Sequence, residues 1–213
     1  MKTFKPIQFK KTDASLKLIP LGGVGDVTKN MYVYETGDDI IIVDCGVGFP
    51  DEGMPGVDLV IPDISYLRDK KDKIRGILIT HGHEDHIGSL PYLWPQLQVP
   101  IYTQRLTAGF IRAKFTEHNL ATNKIMEVKI DQKLDLGAFK VSFYQVSHSV
   151  PDSMGIVLKT PIGTIIHQAD FKIDWTPVSK QVTDVGTVAS LGKEGVLLML
   201  IDCLRVEKPG FNK

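Results

Sequence analysis

The segment Thr80-His81-Gly82-His83-Glu84-Asp85-His86 places three imidazoles and two carboxylates within seven residues. It follows an apolar run at residues 77–80 that predicts a strand, and it precedes a helix predicted to start at Glu84. Side chains alternate along a strand, so His81 and His83 are expected on one side, while Asp85 and His86 enter from the helix start. Imidazole nitrogen and carboxylate oxygen bind Zn²⁺ at about 2.0–2.2 Å. The segment therefore predicts a metal site with enough ligands for two adjacent ions.

Two distant residues are predicted to complete this site. His148 ends a predicted strand at residues 139–147, and Asp170 ends another at residues 164–169. Strand ends that gather at one edge of a sheet are a common place for a functional site. A carboxylate such as that of Asp170 can bridge two cations, which a neutral imidazole cannot do. We therefore expect His148 and Asp170 to meet the histidine-rich segment in space.

Other polar residues carry weaker signals. His118 and His167 lie outside the pattern, and we expect them to be a helix-end surface residue and an ordinary strand residue. The segment Gly22-Gly23-Val24-Gly25 follows a strand, but Thr28 stands where a dinucleotide-binding loop needs glycine, so we interpret it as a tight turn near the metal site. Asp44 ends a strand and has two open interpretations: a carboxylate that orients a ligating histidine, or a turn cap.

Composition excludes some classes of protein and limits others. The 25 Lys and Arg residues equal the 25 Asp and Glu residues, so a nucleic-acid partner cannot be argued from bulk charge. Local basic runs occur at Lys2, Lys5, Lys10 and Lys11, and at residues 68–75, and each is interpreted first as a solvated surface. The two cysteines, Cys45 and Cys203, form no paired motif and suit two buried thiols in a reduced, cytoplasmic setting. The longest apolar run, residues 196–201, is too short to span a membrane, and no secretion signal is evident.

Short apolar runs alternate with a few helical stretches. Strands are predicted at residues 16–21, 31–36, 40–43, 77–80, 139–147, 155–160, 164–169 and 196–201, the last one buried on both faces. Helices are predicted at residues 63–70 with Asp63 as cap, at 84–93 and at 106–118. Strands with helices between them favour a layered α/β or α+β domain.

Longer segments around the predicted ligands resemble the ribonuclease J family, a nuclease branch of the metallo-β-lactamase superfamily. The similar segments are Gly22-Gly23-Val24-Gly25, Lys29-Asn30-Met31, Ile79-Thr80-His81, His81-Gly82-His83-Glu84-Asp85-His86, His148-Ser149-Val150-Pro151-Asp152-Ser153 and Asp170-Phe171-Lys172. The resemblance implies an α+β fold, the four-layer αββα sandwich, with a second domain, called β-CASP, inserted into it. It also implies 5′-to-3′ exonucleolytic and endonucleolytic cleavage of RNA, in ribosomal RNA processing and messenger RNA decay, by a dimer or tetramer.

The resemblance also assigns roles to residues of this chain. It implies two zinc ions, with Mn²⁺ or Mg²⁺ as possible replacements. His81, His83 and His148 would hold one ion, Asp85 and His86 the other, and Asp170 would bridge. Asp85, Asp170 and His86 would be the catalytic set. Asp44 matches the family's buried early aspartate, and Asp202 matches the acidic residue that leads into the inserted domain.

The chain departs from the family pattern at several points. Thr28 replaces a glycine, Gln168-Ala169 replaces a small residue and glycine before Asp170, and Cys203-Leu204-Arg205 follows Asp202 in place of the more frequent Ser-Thr-Asn. The chain ends at Lys213, before the inserted domain and the family's last histidine ligand. We therefore expect residues 1–202 to form the N-terminal part of the sandwich, incomplete at its C-terminus with an exposed apolar face, and residues 203–213 to begin the connection to the inserted domain.

Three hypotheses for function remain open at this point. The first is a metal-dependent ribonuclease acting through a hydroxide activated by two zinc ions. The second keeps the metal hydrolysis and changes the substrate to a small ester or thioester. The third is an inactive fragment that only binds metal or a partner.

Overall fold

The structure, a computed structural model, describes residues 14–210. The predicted basic run at Lys2, Lys5, Lys10 and Lys11 and the last residues of the predicted connection, 211–213, lie outside this range. Among the described residues, no helix is both long and apolar enough to cross a membrane.

The first sheet has six strands and carries the histidine-rich segment at one edge. Its strands are β1 (Lys17–Gly22), β2 (Met31–Thr36), β3 (Asp39–Val43), β4 (Ile74–Leu78), β5 (Ile101–Thr103) and β6 (Ile125–Glu127), in that spatial order. β1 to β3 are antiparallel neighbours, whereas β3 to β6 run parallel. Parallel neighbours end at the same edge, which brings Asp44, after β3, beside the loop that follows β4.

The second sheet has five strands and supplies the two distant residues of the site. In chain order they are β7 (Lys133–Leu136), β8 (Phe139–Gln145), β9 (Met154–Thr160), β10 (Gly163–His167) and β11 (Leu198–Leu200). β7 to β10 are antiparallel neighbours, and β11 pairs in parallel with β10 at the edge. β8 leads into His148 and β10 leads into Asp170, so both residues leave the same end of this sheet.

Three apolar clusters show that the fold has four layers. One cluster lies between the sheets and includes Tyr34 and Leu78 from the first sheet and Phe139 and Ile156 from the second. A second cluster packs the outer face of the first sheet against three helices, α1 (Glu84–Ile87), α2 (Leu90–Leu97) and α3 (Arg105–Glu117). The third packs the outer face of the second sheet against α4 (Val185–Glu194). The predicted αββα sandwich is therefore confirmed.

Two predicted helices differ from the structure. The helix predicted at residues 84–93 is broken between α1 and α2, where Pro91 cannot donate a backbone hydrogen bond and Ser89 is tied to the carbonyls of Cys45 and Gly46. The helix predicted at 63–70 is wrong. Asp63 accepts hydrogen bonds from the backbone N–H and the hydroxyl of Ser65, and among the described residues this stretch forms a 3₁₀ turn at Ser65–Leu67.

The C-terminal edge of the second sheet also differs from prediction. The run at residues 196–201 forms an edge strand, so the prediction of burial on both faces is wrong: Leu198 and Met199 are 36% and 37% exposed. Exposed apolar side chains continue at Ile201, Leu204 and Val206. Cys45 is buried, but Cys203 is exposed, which contradicts the expectation of two buried thiols.

Candidate metal centre

The helix α1 (Glu84–Ile87) is held against the residue that precedes β2 (Met31–Thr36) and the loop that follows β3 (Asp39–Val43). Asn30 donates its backbone N–H to the carbonyl of Asp85, and Cys45 does the same to His86. Gly46 lies so close that a Cβ there would be 1.5 Å from the Asp85 carbonyl oxygen. Only glycine permits this approach. The packing of two backbones therefore fixes where the side chains of Asp85 and His86 point.

A first group of ligand atoms is formed by three histidines and one aspartate. The Nδ1 atom of His83 lies 3.1 Å from Nε2 of His81 and 3.1 Å from Nε2 of His148. Oδ2 of Asp170 lies 3.5 Å from Nε2 of His148 and 4.0 Å from Nε2 of His81. One ligand atom from each of these four residues lies within 4.8 Å of the others.

A second group is formed by Asp85, His86 and Asp170. Nε2 of His86 lies 3.4 Å from Oδ2 of Asp85 and 3.5 Å from Oδ1 of Asp170. The three ligand atoms also lie within 4.8 Å of one another. The two oxygens of Asp170 thus face different groups, and all six predicted ligand residues meet at one place.

The donor atoms of the first group fit a metal ion. A tetrahedral Zn²⁺ with nitrogen ligands at about 2.0–2.1 Å separates those nitrogens by about 3.3 Å, close to the distances between the imidazoles. Nε2 of His81 and Nε2 of His148 both lie close to Nδ1 of His83, so one nitrogen from each ring faces the same small space. The described residues therefore form a cluster that is suitable for binding a metal ion.

Asp44 contacts one ligand residue of this cluster, His86, from the protein interior. It is fully buried with φ 61°, and its carboxylate accepts hydrogen bonds from the backbone N–H and the hydroxyl of Thr80. Its Oδ2 lies 2.7 Å from Nδ1 of His86. A proton on Nδ1 of His86 is therefore shared with Asp44, and Nε2 is left to face Asp85 and Asp170. The geometry favours the orienting interpretation of Asp44 over a simple turn cap.

Burial and neighbouring charges separate the two groups electrostatically. Burial lowers the pKa of His81 strongly, and the nearby imidazoles lower it further, so this ring is neutral. Burial also lowers the pKa of His148, although Asp170 opposes the shift. For His86, burial alone would lower the pKa, but the carboxylates of Asp44 and Asp170 raise it well above its usual value. His81 and His148 thus offer unprotonated nitrogens, whereas in the second group a cation would replace a proton on His86.

Three other predicted residues lie outside the cluster. Oδ1 of Asp202 accepts a hydrogen bond from the backbone of Leu204, and the described contacts of Asp202 include no ligand candidate. His118 ends α3 (Arg105–Glu117) and contacts the ring of Tyr92. His167 is buried, with Nδ1 2.8 Å from the hydroxyl of Tyr34.

Two further residues touch the cluster, and sequence reasoning assigned them no role. Asn30 places its Nδ2 3.4 Å from Oδ2 of Asp85, and the hydroxyl of Ser149 lies 3.3 Å from Nε2 of His83. Both lie in segments that carry the family resemblance. Neither residue type signals a metal site by itself, so only the folded structure reveals these contacts.

Three of the five cations in the basic run at residues 68–75 form ion pairs in the described part of the chain. Lys70 pairs with Glu35, Lys73 with Asp38, and Arg75 with Asp39. The first interpretation of this run as ordinary surface charge agrees with these contacts.

Comparison with known proteins identifies relatives of both the sequence and the fold. The family model described as the metallo-beta-lactamase superfamily matches residues 24–178. Ribonuclease J of Thermus thermophilus is 44% identical over 205 residues, which are 92% of this chain and 36% of that protein. Ribonuclease J of Helicobacter pylori strain 26695 is 45% identical over 199 residues, which are 92% of this chain and 29% of that protein. Ribonuclease J2 of Bacillus subtilis is 42% identical over 205 residues, covering 95% and 37%. The chain thus spans about a third of the length of these relatives.

Solved structures with low sequence identity share the fold. A protein of unknown function from Enterococcus faecalis matches with a TM-score of 0.67 at 15% identity, over 93% of this chain and 52% of that one. The metallo-beta-lactamase fold protein YhfI from Bacillus subtilis matches with a TM-score of 0.51 at 20% identity, over 75% and 63%.

Proposed function

The chain belongs to the metallo-beta-lactamase superfamily, and from this premise we propose that it is the metal-binding part of a ribonuclease that hydrolyses RNA phosphodiesters. Relatives that are 42–45% identical and named ribonuclease J or J2 favour RNA over other substrates of the superfamily.

One observation carries the proposal: Asp170 turns one carboxylate oxygen toward each group of ligand atoms. Oδ2 lies 3.5 Å from His148, and Oδ1 lies 3.5 Å from His86. His81, His83 and His148 would hold one cation, Asp85 and His86 the other, and Asp170 would bridge them. The histidines favour Zn²⁺, and Mn²⁺ or Mg²⁺ can replace it in the carboxylate-rich group.

Two cations in these groups would supply Lewis-acid polarisation of a phosphoryl oxygen and a water with a lowered pKa. Around them, the carboxylates of Asp85 and Asp170 orient the attacking water and can accept its hydrogen bonds. Asp44 holds the ring of His86 by Nδ1, so Nε2 keeps its direction toward Asp170. Asp85, Asp170 and His86 are therefore the proposed catalytic set, with Asp44 as the residue that positions His86.

Several finer features are proposed only from the resemblance to the ribonuclease J family. They are exonucleolytic and endonucleolytic activity, a cytoplasmic location, assembly as a dimer or tetramer, and a connection from residues 203–213 to a further domain, led by Asp202. Each applies to a whole protein about three times as long as this chain.

A metal and cleavage assay tests the proposal. Zn²⁺ and Mn²⁺ binding is measured by competition with a chelating dye, and cleavage is measured on 5′-monophosphorylated RNA. Asp170→Asn keeps the shape but removes the charge between the groups, so metal affinity should fall by more than the about 10- to 100-fold that is typical when a residue supporting a ligand is lost, and cleavage should be largely lost. His118→Ala removes a histidine outside the cluster and serves as the matched control.

The outcomes distinguish the three hypotheses. Wild-type protein that binds metal and cleaves RNA supports the proposal. If the protein binds metal but hydrolyses only small esters or thioesters, the second hypothesis holds and RNA is not the substrate. Metal binding without any hydrolysis by this chain would identify it as a binding fragment, and failure to bind Zn²⁺ or Mn²⁺ would overturn the metal centre itself.

A further inference from the structure

We infer that Asn30 is a positioning residue for the second ligand group: its side-chain amide donates a hydrogen bond to Asp85 and holds that carboxylate toward His86 and Asp170. The inference rests on the proposed metal centre. Asn30 is only 9% exposed and lies just before β2 (Met31–Thr36).

The backbone of Asn30 is anchored on both sides. Its N–H donates to the carbonyl of Asp85 at 2.9 Å, and its carbonyl accepts from the N–H of Gly46 at 2.9 Å. Asn30 is thus fixed between α1 (Glu84–Ile87) and the loop after β3 (Asp39–Val43). A side chain that leaves such a fixed point has few positions available, so its amide is preorganised beside the cluster.

The contacts of the side chain decide which amide atom faces the cluster. Nδ2 lies 3.1 Å from the carbonyl oxygen of Val27, which can only accept a hydrogen bond. The same Nδ2 lies 3.4 Å from Oδ2 of Asp85 and 3.3 Å from Nε2 of His86. On the other side, Oδ1 faces the hydroxyl of Tyr32 at 3.4 Å. The amide therefore presents protons to the cluster, and Asn30 is a hydrogen-bond donor and not a ligand.

This arrangement gives two of the three residues of the second group a supporting neighbour. His86 is held by Asp44 through Nδ1, and Asp85 is held by Asn30 through Oδ2. A carboxylate without such a partner rotates freely about its Cβ–Cγ bond and must be ordered when a cation arrives. Groups that orient a ligand in this way typically change metal affinity by about 10- to 100-fold when removed. The loss of Asn30 is expected to act on one of the two cations only.

The test measures Zn²⁺ binding in the whole 213-residue chain by competition with a chelating dye. Asn30→Ala removes the amide, and Asn30→Leu keeps a similar shape without a donor. Thr28→Ala is the matched control because the Thr28 hydroxyl bonds Asp26 within the same loop. We expect one of two binding events to lose about 10- to 100-fold in affinity in both Asn30 variants and to stay unchanged in Thr28→Ala.

A double-mutant cycle shows whether Asn30 acts through Asp85. In an Asp85→Ala background, Asn30→Ala should cause no further loss of affinity, since the carboxylate that it orients is gone. Equal losses in both backgrounds, or unchanged affinity in Asn30→Ala and Asn30→Leu, would overturn the inference. Wild-type protein that binds no Zn²⁺ overturns the proposed metal centre as well, so the two failures are distinguishable.

Discussion

The buried imidazole of His167 predicts a loss of stability in mild acid. Tyr34 lies 2.8 Å from Nδ1, and burial raises the pKa of this hydroxyl far above its usual value, so Tyr34 keeps its proton and donates it. Nδ1 therefore accepts, and the ring is neutral. Burial lowers the pKa of His167 from 6.5 to about 4.

The sign of the effect follows from proton binding in the two states. Between pH 6.5 and about 4 the unfolded chain protonates this residue and the folded protein does not, so the free energy of unfolding falls as the pH falls. Near pH 4 the loss amounts to about 3 kcal/mol. His167→Asn keeps an acceptor for Tyr34 without a titrating ring, so urea unfolding of metal-free protein should show a flatter pH dependence. Identical profiles for the two proteins would rule out this role for His167.

The backbone conformation of Ala169 predicts a substitution that increases the stability of the folded protein. Ala169 directly precedes Asp170 and has φ 55°, a left-handed conformation that costs residues with a Cβ about 1 kcal/mol relative to glycine. Ala169→Gly should therefore raise the free energy of unfolding, measured in urea, by up to about 1 kcal/mol. Ala189→Gly, in the helix α4 (Val185–Glu194), should lower it by about 0.5–1 kcal/mol and is the control. Destabilisation in both variants would contradict the argument.

Single residues differ in how far the sequence reveals them. The six ligand candidates were predictable because histidines and aspartates at this spacing are rare outside metal sites and because His148 and Asp170 end predicted strands. Asn30 and Ser149 were not, since their contacts arise from loops whose backbone path depends on the whole fold. Asp202 carried a predicted role, but its described hydrogen bond goes to Leu204.

At the scale of elements, length and periodicity decided what could be predicted. The strands around the central core and the helix α3 (Arg105–Glu117) show clear apolar spacing. β5 (Ile101–Thr103) and β6 (Ile125–Glu127) have three residues each and carry too little pattern for prediction. α4 (Val185–Glu194) has Leu191 as its one buried side chain and contains two glycines, which disfavour a helix, so its sequence does not predict one clearly.

One contact between elements predicts a coupled loss of stability and metal affinity. Asp152, four residues after His148, accepts a hydrogen bond from the backbone N–H of Leu106 in the first turn of α3 (Arg105–Glu117) at 3.0 Å. A carboxylate there also interacts favourably with the helix dipole. Asp152→Ala should therefore lower the free energy of unfolding by about 1–2 kcal/mol and weaken Zn²⁺ binding at the three histidines.

The matched variant separates charge from hydrogen bonding. Asp152 has φ 60°, which asparagine tolerates almost as well as aspartate. Asp152→Asn keeps an oxygen acceptor for Leu106 and should lose less than half of what Asp152→Ala loses. Thermal unfolding and dye competition report the two effects, and an unaltered melting temperature in Asp152→Ala would show that the contact does not stabilise the loop.

For the whole molecule, the 25 Lys and Arg residues balance the 25 Asp and Glu residues, so attraction to RNA depends on where the charges lie. The cations of residues 70–75 are mostly paired with carboxylates, so this run offers little free charge to a phosphate backbone.

Lys172 differs from these cations in its position and in its lack of an ion-pair partner among the described residues. It lies two residues after Asp170, its backbone N–H donates to the carbonyl of Ser147 next to His148, and within residues 14–210 it forms no ion pair. Burial is the main cause that lowers the pKa of His148, and the positive charge of Lys172 adds a smaller contribution in the same direction.

Lys172 therefore predicts a local and salt-sensitive contact with RNA, if the proposed function holds. Each phosphate of a single strand that a lysine neutralises contributes about 0.7 to the slope of log affinity against log salt concentration. Lys172→Ala should reduce that slope by about 0.7 and leave Zn²⁺ binding intact, because the ammonium group is not a ligand. Lys193→Ala removes an exposed lysine in the last turn of α4 (Val185–Glu194) and should leave the slope unchanged. Equal slopes for wild type and Lys172→Ala in fluorescence anisotropy titrations would mean that the RNA path avoids this side of the cluster.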